Sequence, residues 1–108
     1  CGNDDMALQY NAGGGTGCIS VTANVAPRLC ADFQAASLGG DTARAHELNE
    51  RLFPLHQALF TDASPAPVKY ALSKVLGWIG DEVRLPLVTA SSESRRAVDA
   101  ALAHAGLY

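Results

Sequence analysis

The sequence predicts an α/β segment that is mostly helix: the C-terminal part of a (β/α)8 TIM barrel, followed by a helical C-terminal domain. Three observations lead there. Only residues 17–22, Gly-Cys-Ile-Ser-Val-Thr, are short, β-branched and preceded by turn residues, as a strand should be. Helical patterns lie on both sides of that stretch, one before and four after. A lone strand cannot be a sheet, because its backbone groups would lack partners. Its neighbours are therefore expected upstream of Cys1, and a buried strand between helices is what the last unit of a β/α barrel looks like. On this reading residues 1–40 are the last β/α units and residues 41–108 the C-terminal helical domain.

The elements follow in order. Asn3 and Asp4 are good caps for a helix carrying Met6, Ala7, Leu8 and Tyr10, and the Asp4-Asp5 pair suits the positive end of its dipole. Gly13, Gly14 and Gly15 stop it. The strand follows and ends at Asn24. Pro27 opens a helix with Leu29, Cys30, Phe33 and Ala36 on one face, closed by Gly39-Gly40. Asp41 caps the next, where Leu48, Leu52, Leu55 and Leu59 form a stripe. Pro54 inside that stripe predicts a kink or a break, and Glu47 with Arg51 predicts an i, i+4 ion pair. Ser64-Pro65 starts a helix with Val68, Leu72, Val75 and Ile79 at helical spacing, ending at Gly80-Asp81. Residues 82–88 read as extended and broken by Pro86. Ser91 or Ser92 caps the last helix, with Glu93 in its first turn, Val98, Ala101, Leu102 and Ala105 inward, and Gly106 as its stop.

Composition narrows the function. The 108 residues are 48% hydrophobic and 18% charged, with a net charge of −3, so the chain is neither disordered nor basic. Binding to nucleic acid or to an anionic membrane surface is not expected. No apolar run reaches the roughly 18 residues of a membrane span, and no signal peptide is evident. The chain opens at Cys1 without Met, which reads as a segment of a longer protein. Cys1, Cys18 and Cys30 form neither a CxxC pair nor a disulfide framework, so free thiols of a reducing cytosol are expected and a zinc site is not.

The chemical motifs are weak by themselves. Gly13-Gly14-Gly15-Thr16-Gly17 lacks the GK[ST] of a phosphate loop, and it follows a helix where such loops follow a strand. A tight turn is the better reading. His46-Glu47 begins like HExxH, but position 50 is Glu. His46, His56 and His104 therefore read as surface or packing histidines. Lys69 and Lys74 read as a solvated helix face. Ser20 and Thr22 alternate with Ile19 and Val21, so one pair faces the barrel axis and the other the helices. The loops at Gly2-Asn3-Asp4 and Thr22-Ala23-Asn24 would lie on the catalytic face of a barrel, which makes them the best candidates by spacing.

Longer runs carry a resemblance. Gly17-Cys18-Ile19-Ser20-Val21-Thr22-Ala23-Asn24-Val25-Ala26-Pro27 resembles the last barrel strand of the dihydrodipicolinate synthase (4-hydroxy-tetrahydrodipicolinate synthase) family. Gly2-Asn3-Asp4 resembles that family's Gly-acidic-Asp loop after strand seven. Arg51-Leu52-Phe53-Pro54-Leu55-His56 is similar to its RLMPLH stretch, and Pro67-Val68-Lys69-Tyr70-Ala71-Leu72 to its PVKWAL. Arg84-Leu85-Pro86-Leu87 and His104-Ala105-Gly106-Leu107 also fit. Asn3 departs from the usual acidic residue, and Val88-Thr89-Ala90 from a proline-containing segment.

The resemblance implies condensation of pyruvate with L-aspartate-4-semialdehyde through a lysine Schiff base, in the diaminopimelate route of lysine biosynthesis. It implies a cytoplasmic homotetramer, a dimer of dimers, needing neither metal nor other cofactor. The family's Schiff-base lysine, proton relay, carboxylate-binding arginine and lysine-inhibition site all precede this segment, so no catalytic residue carries over. Two substrate-binding positions do: Ile19, through its backbone carbonyl in the pyruvate site, and Gly2, as a backbone neighbour. These residues alone are expected to be inactive. Two alternatives stand beside this reading. One is a sibling pyruvate-dependent aldolase or hydratase, of the N-acetylneuraminate lyase or keto-deoxy sugar acid aldolase type. The other is a non-enzymatic helical interaction module.

Overall fold

The computed structural model describes all 108 residues. Five α-helices build it: α1 (Ala7–Ala12), α2 (Pro27–Leu38), α3 (Thr42–Ala58), α4 (Ala66–Leu76) and α5 (Ser92–Ala105). Two 3-10 turns, Asp4–Met6 and Thr22–Asn24, precede α1 and α2. Helix α3 is the spine, packing against α2 on one side and α5 on the other. Its predicted stripe is the centre of the core: Leu52, Leu55 and Leu59 are 0% exposed and Leu48 1%. Val98, Ala101 and Leu102 of α5 meet that stripe, and Leu29, Phe33 and Ala36 of α2 complete one continuous apolar cluster. No helix is long and apolar enough to cross a membrane.

Several helix ends form as their residues dictate. Pro27 sits in the first turn of α2. The Asp41 carboxylate accepts from the Arg44 amide, and the Ser91 hydroxyl accepts from the Ser94 amide. Gly106 ends α5 at φ 74°, the left-handed conformation that glycine adopts without cost.

Five expectations change. First, no strand forms over residues 17–22. Residues 15–20 run without helix or turn, and their inter-segment backbone bonds go to one residue. The Cys1 nitrogen donates to the Gly17 carbonyl and the Ile19 amide to the Cys1 carbonyl, each at 2.9 Å. One residue bonded to partners two apart is the pattern of a parallel pair. A strand needs a longer partner than Cys1 supplies.

Second, the first helix is split, and Asn3 makes no side-chain cap. The Asp4 carboxylate has turned away to three donors on the facing loop. Third, α3 runs unbroken through Pro54. Pro54 has no N–H for the Glu50 carbonyl, and His104 Nε2 of α5 lies 3.1 Å from that oxygen. Fourth, Glu47 pairs with Arg44 at 3.0 Å. Arg51 instead donates through Nε to the Ala105 carbonyl at 2.7 Å, at the end of α5 where the dipole favours a cation. Fifth, α4 stops at Gly77, φ 73°, three residues before the predicted end, so Ile79 lies outside it.

Candidate functional site

The first loop of the chain packs against residues 17–22, and the alternation along that stretch decides what faces what. Ile19 points its side chain outward, 88% exposed, while Thr22 is wholly buried. Ser20 and Thr22 turn to the helical side, where Asp4 waits. Asp4 is itself buried. One of its oxygens accepts from the Ser20 hydroxyl; the other accepts from the amides of Val21 at 2.9 Å and Thr22 at 3.2 Å. Ser20 Oγ also accepts from the Ala23 amide at 2.9 Å. A buried carboxylate is tolerated when donors saturate it in this way.

Thr22 extends the network into α3. Its hydroxyl lies 2.7 Å from His56 Nδ1, and both groups are buried. Burial is the largest influence on the ring and pushes its pKa below the ordinary histidine value; the nearby Asp4 and Asp5 carboxylates oppose that push. A cleft of about 230 Å³ opens beside these groups, lined mainly by apolar atoms together with Asp4, Cys18, Ser20 and His56. Burial first, then Asp4, raises the Cys30 thiol to about 11, and the Cys18 thiol is raised by the same two influences. These thiols stay protonated and unreactive near neutrality.

The two positions singled out for substrate lie together on the opposite side. Gly2 and Ile19 share the wall of an open groove of about 710 Å³, with Cys1, Asn3, Thr16 and Gly17 among its other residues. The Ile19 carbonyl accepts no hydrogen bond within the chain, although its amide is bound to Cys1. A carbonyl with no partner in the chain, on a residue of the groove wall, can accept from a ligand or from a neighbouring segment.

Other motifs resolve into structure. The amides of Gly13, Gly14 and Gly15 donate to Gln9, Asn11 and Tyr10 carbonyls, so they are spent on the turn and do not cradle phosphate. A Cβ on Gly15 would come within 2.2 Å of the Tyr10 ring, which explains glycine there. The three cysteines are unpaired. No three His, Cys, Asp or Glu side chains gather where they could hold an ion. Lys69 donates to the Glu82 carbonyl at 2.9 Å, and Lys74 lies 5.5 Å from the centroids of the Tyr70 and Tyr108 rings. Neither lysine is near the groove. The Asp4 clamp and the Thr22–His56 bond were not foreseen from sequence, where Asp4 read as a helix cap and His56 as a surface or packing residue. The alternation of Ser20 and Thr22 was the available signal.

Comparison with known proteins gives a consistent result. A model of the dihydrodipicolinate synthetase family matches residues 1–105. The 4-hydroxy-tetrahydrodipicolinate synthase of Erythrobacter litoralis is 65% identical over 106 residues, covering 98% of this chain and 36% of that protein. The synthase of Novosphingobium aromaticivorans is 62% identical over the same shares. Among solved structures, dihydrodipicolinate synthase from Thermotoga maritima superposes with a TM-score of 0.92 at 39% identity, over 99% of this chain and 36% of that one. The chloride-inhibited enzyme from Acinetobacter baumannii, complexed with pyruvate, gives 0.91 at 36% identity over the same shares. The chain spans about a third of the length of the curated relatives it matches.

Proposed function

Because the chain belongs to the dihydrodipicolinate synthetase family, we propose that it is the C-terminal part of a 4-hydroxy-tetrahydrodipicolinate synthase. Residues 1–40 then close the catalytic barrel and residues 41–108 form the helical domain that backs it. The whole enzyme condenses pyruvate with L-aspartate-4-semialdehyde in the cytoplasm, on the diaminopimelate route to lysine, as a homotetramer. A lysine upstream of Cys1 supplies the amine: it forms a Schiff base with the pyruvate ketone, releasing water. Loss of a methyl proton gives the enamine that attacks the aldehyde carbon.

The observation that carries this reading is Ile19, whose carbonyl is unbonded within the chain and which shares one groove wall with Gly2. Its role is to accept at the pyruvate site; the role of Gly2 is to let backbone come close there. Asn3, exposed and neutral where the family's loop is acidic, favours one second reading: a sibling aldolase or hydratase with another acceptor.

The test uses the full-length protein. Borohydride should trap one pyruvate per subunit on an upstream lysine, and aspartate semialdehyde should be consumed at the expense of pyruvate. Cleavage of sugar acids without semialdehyde turnover would establish the sibling reading instead.

A further inference from the structure

We propose that Asp4 is a positioning residue for pyruvate: its carboxylate fixes the backbone of residues 20–22 and thereby aims the Ile19 carbonyl. The inference rests on the reading of Ile19 given above. Within this chain nothing packs on the Ile19 side chain, which is 88% exposed. The direction of its carbonyl is therefore set by the bonds on either side. On one side the Ile19 amide donates to Cys1 at 2.9 Å. On the other, the Ser20 hydroxyl and the Val21 and Thr22 amides all donate to Asp4. The Ile19–Ser20 peptide is bracketed by these two holds.

Both holds come from one loop. Gly2 lies between Cys1 and Asp4, so the bonds that fix Ile19 also fix the second candidate position relative to it. Ser20 Oγ is used twice, donating to Asp4 and accepting from the Ala23 amide, so it carries the hold on into the turn at Thr22–Asn24. Helix α3 anchors the far end through His56 and Thr22. Asp4 does not line the groove; it acts through Ile19. A misplacement of about 1 Å in a site that orients reactants can cost about a hundredfold, and the aim of an acceptor on a small ligand is open to the same loss.

Asp4→Asn in the full-length protein tests this. The substitution keeps the shape but removes the charge: one orientation of the amide sets its NH2 against the Val21 and Thr22 amides, and the other makes Ser20 Oγ accept where it had donated. The expected result is a rise in pyruvate KM on the order of tenfold. The semialdehyde KM and the borohydride-trapped stoichiometry at saturating pyruvate should stay as in the wild type. Asp4→Glu, which keeps the charge, should recover part of the loss. A variant with lowered Tm but unchanged pyruvate KM would assign Asp4 a purely structural role and overturn the proposal. Should Asp4→Asn not fold, Ser20→Ala decides: it removes one donor and should raise the pyruvate KM severalfold, and an unchanged KM overturns the proposal. A wild type that traps no pyruvate would bring down the functional reading and this one with it. A wild type that traps pyruvate, beside variants of unchanged KM, would bring down this one alone.

Discussion

His56 sits in the fold as a neutral ring. Its Nδ1 is taken by the Thr22 hydroxyl, and its surroundings are the apolar face of α3 and the cleft beside Asp4. Burial disfavours the imidazolium more than Asp4 and Asp5 favour it, so the native ring titrates below 6.5. In the unfolded chain the ring titrates at its ordinary value. Above that value both states are neutral and the contribution to stability is fully present. As pH falls through the interval below 6.5, the unfolded state binds the proton first, and stability is lost until the native ring titrates too. Urea midpoints should therefore fall between about pH 7.5 and about pH 5.5, and fall less in His56→Gln. His46 and His104 are present in both proteins, so the difference between the two slopes isolates His56. Parallel slopes would show that the ring is not buried neutral.

At the scale of elements, the contact between α3 and α5 is made where α3 is weakest. Pro54 deprives the Glu50 carbonyl of its helical donor, and His104 takes that place from α5. Arg51, one residue further, takes the carbonyl of Ala105. The proline defect is thus an attachment point. In the native background His104→Ala should cost on the order of 0.5–1 kcal/mol, small because the bond is exposed. In a Pro54→Ala background the restored amide satisfies Glu50, and the same change should cost close to nothing. A double-mutant cycle by denaturant unfolding measures the difference, and equal costs in the two backgrounds would refute the link. The sequence made most of this scale legible. Periodicity placed the Leu48–Leu59 stripe, and capping residues placed Asp41, Ser91 and Gly106, because both signals are local. Pro54 misled because its cost is offset by a residue fifty positions away. Glu47 misled because Arg44 lay one turn back while Arg51 had a carbonyl of α5 to bind. Ile79 misled because a hydrophobic period continues past a glycine that ends the helix. Asp4 misled because a carboxylate beside a helix start is normally a cap; here three donors from residues 20–22 face it, and no local rule could show that.

At the scale of the whole molecule, these 108 residues carry a compact helical core and an unfinished edge. The core closes on Leu52, Leu55, Leu59 and Leu102, each 0% exposed. The edge is the stretch at residues 17–22, whose one parallel partner is Cys1. Gly2 and Ile19 were singled out there through the resemblance of long runs of residues, whereas composition and spacing pointed only to the two loops. In the proposed reading that edge supplies backbone: a carbonyl and a close approach. It supplies no amine, and neither lysine of the chain is built to become one. A Schiff-base nucleophile must shed its proton, which a desolvated pocket or a cationic neighbour promotes. Lys69 is held by the Glu82 carbonyl. Lys74 is solvent-facing, and its pKa is raised, first by its interaction with Tyr70, then by Tyr108 and Asp99. It is thus more firmly protonated than a free lysine, the opposite of what the chemistry requires. The 108-residue chain, incubated with pyruvate and borohydride and weighed intact, should therefore show no stoichiometric pyruvyl adduct and should not consume aspartate semialdehyde. The full-length protein under the same conditions should gain one adduct on a lysine upstream of Cys1, identified by peptide mass. A stoichiometric adduct on Lys69 or Lys74, with turnover, would move the active amine into this segment and overturn the proposed division of labour, in which the barrel upstream holds the lysine and this part holds the Ile19 carbonyl against the substrate.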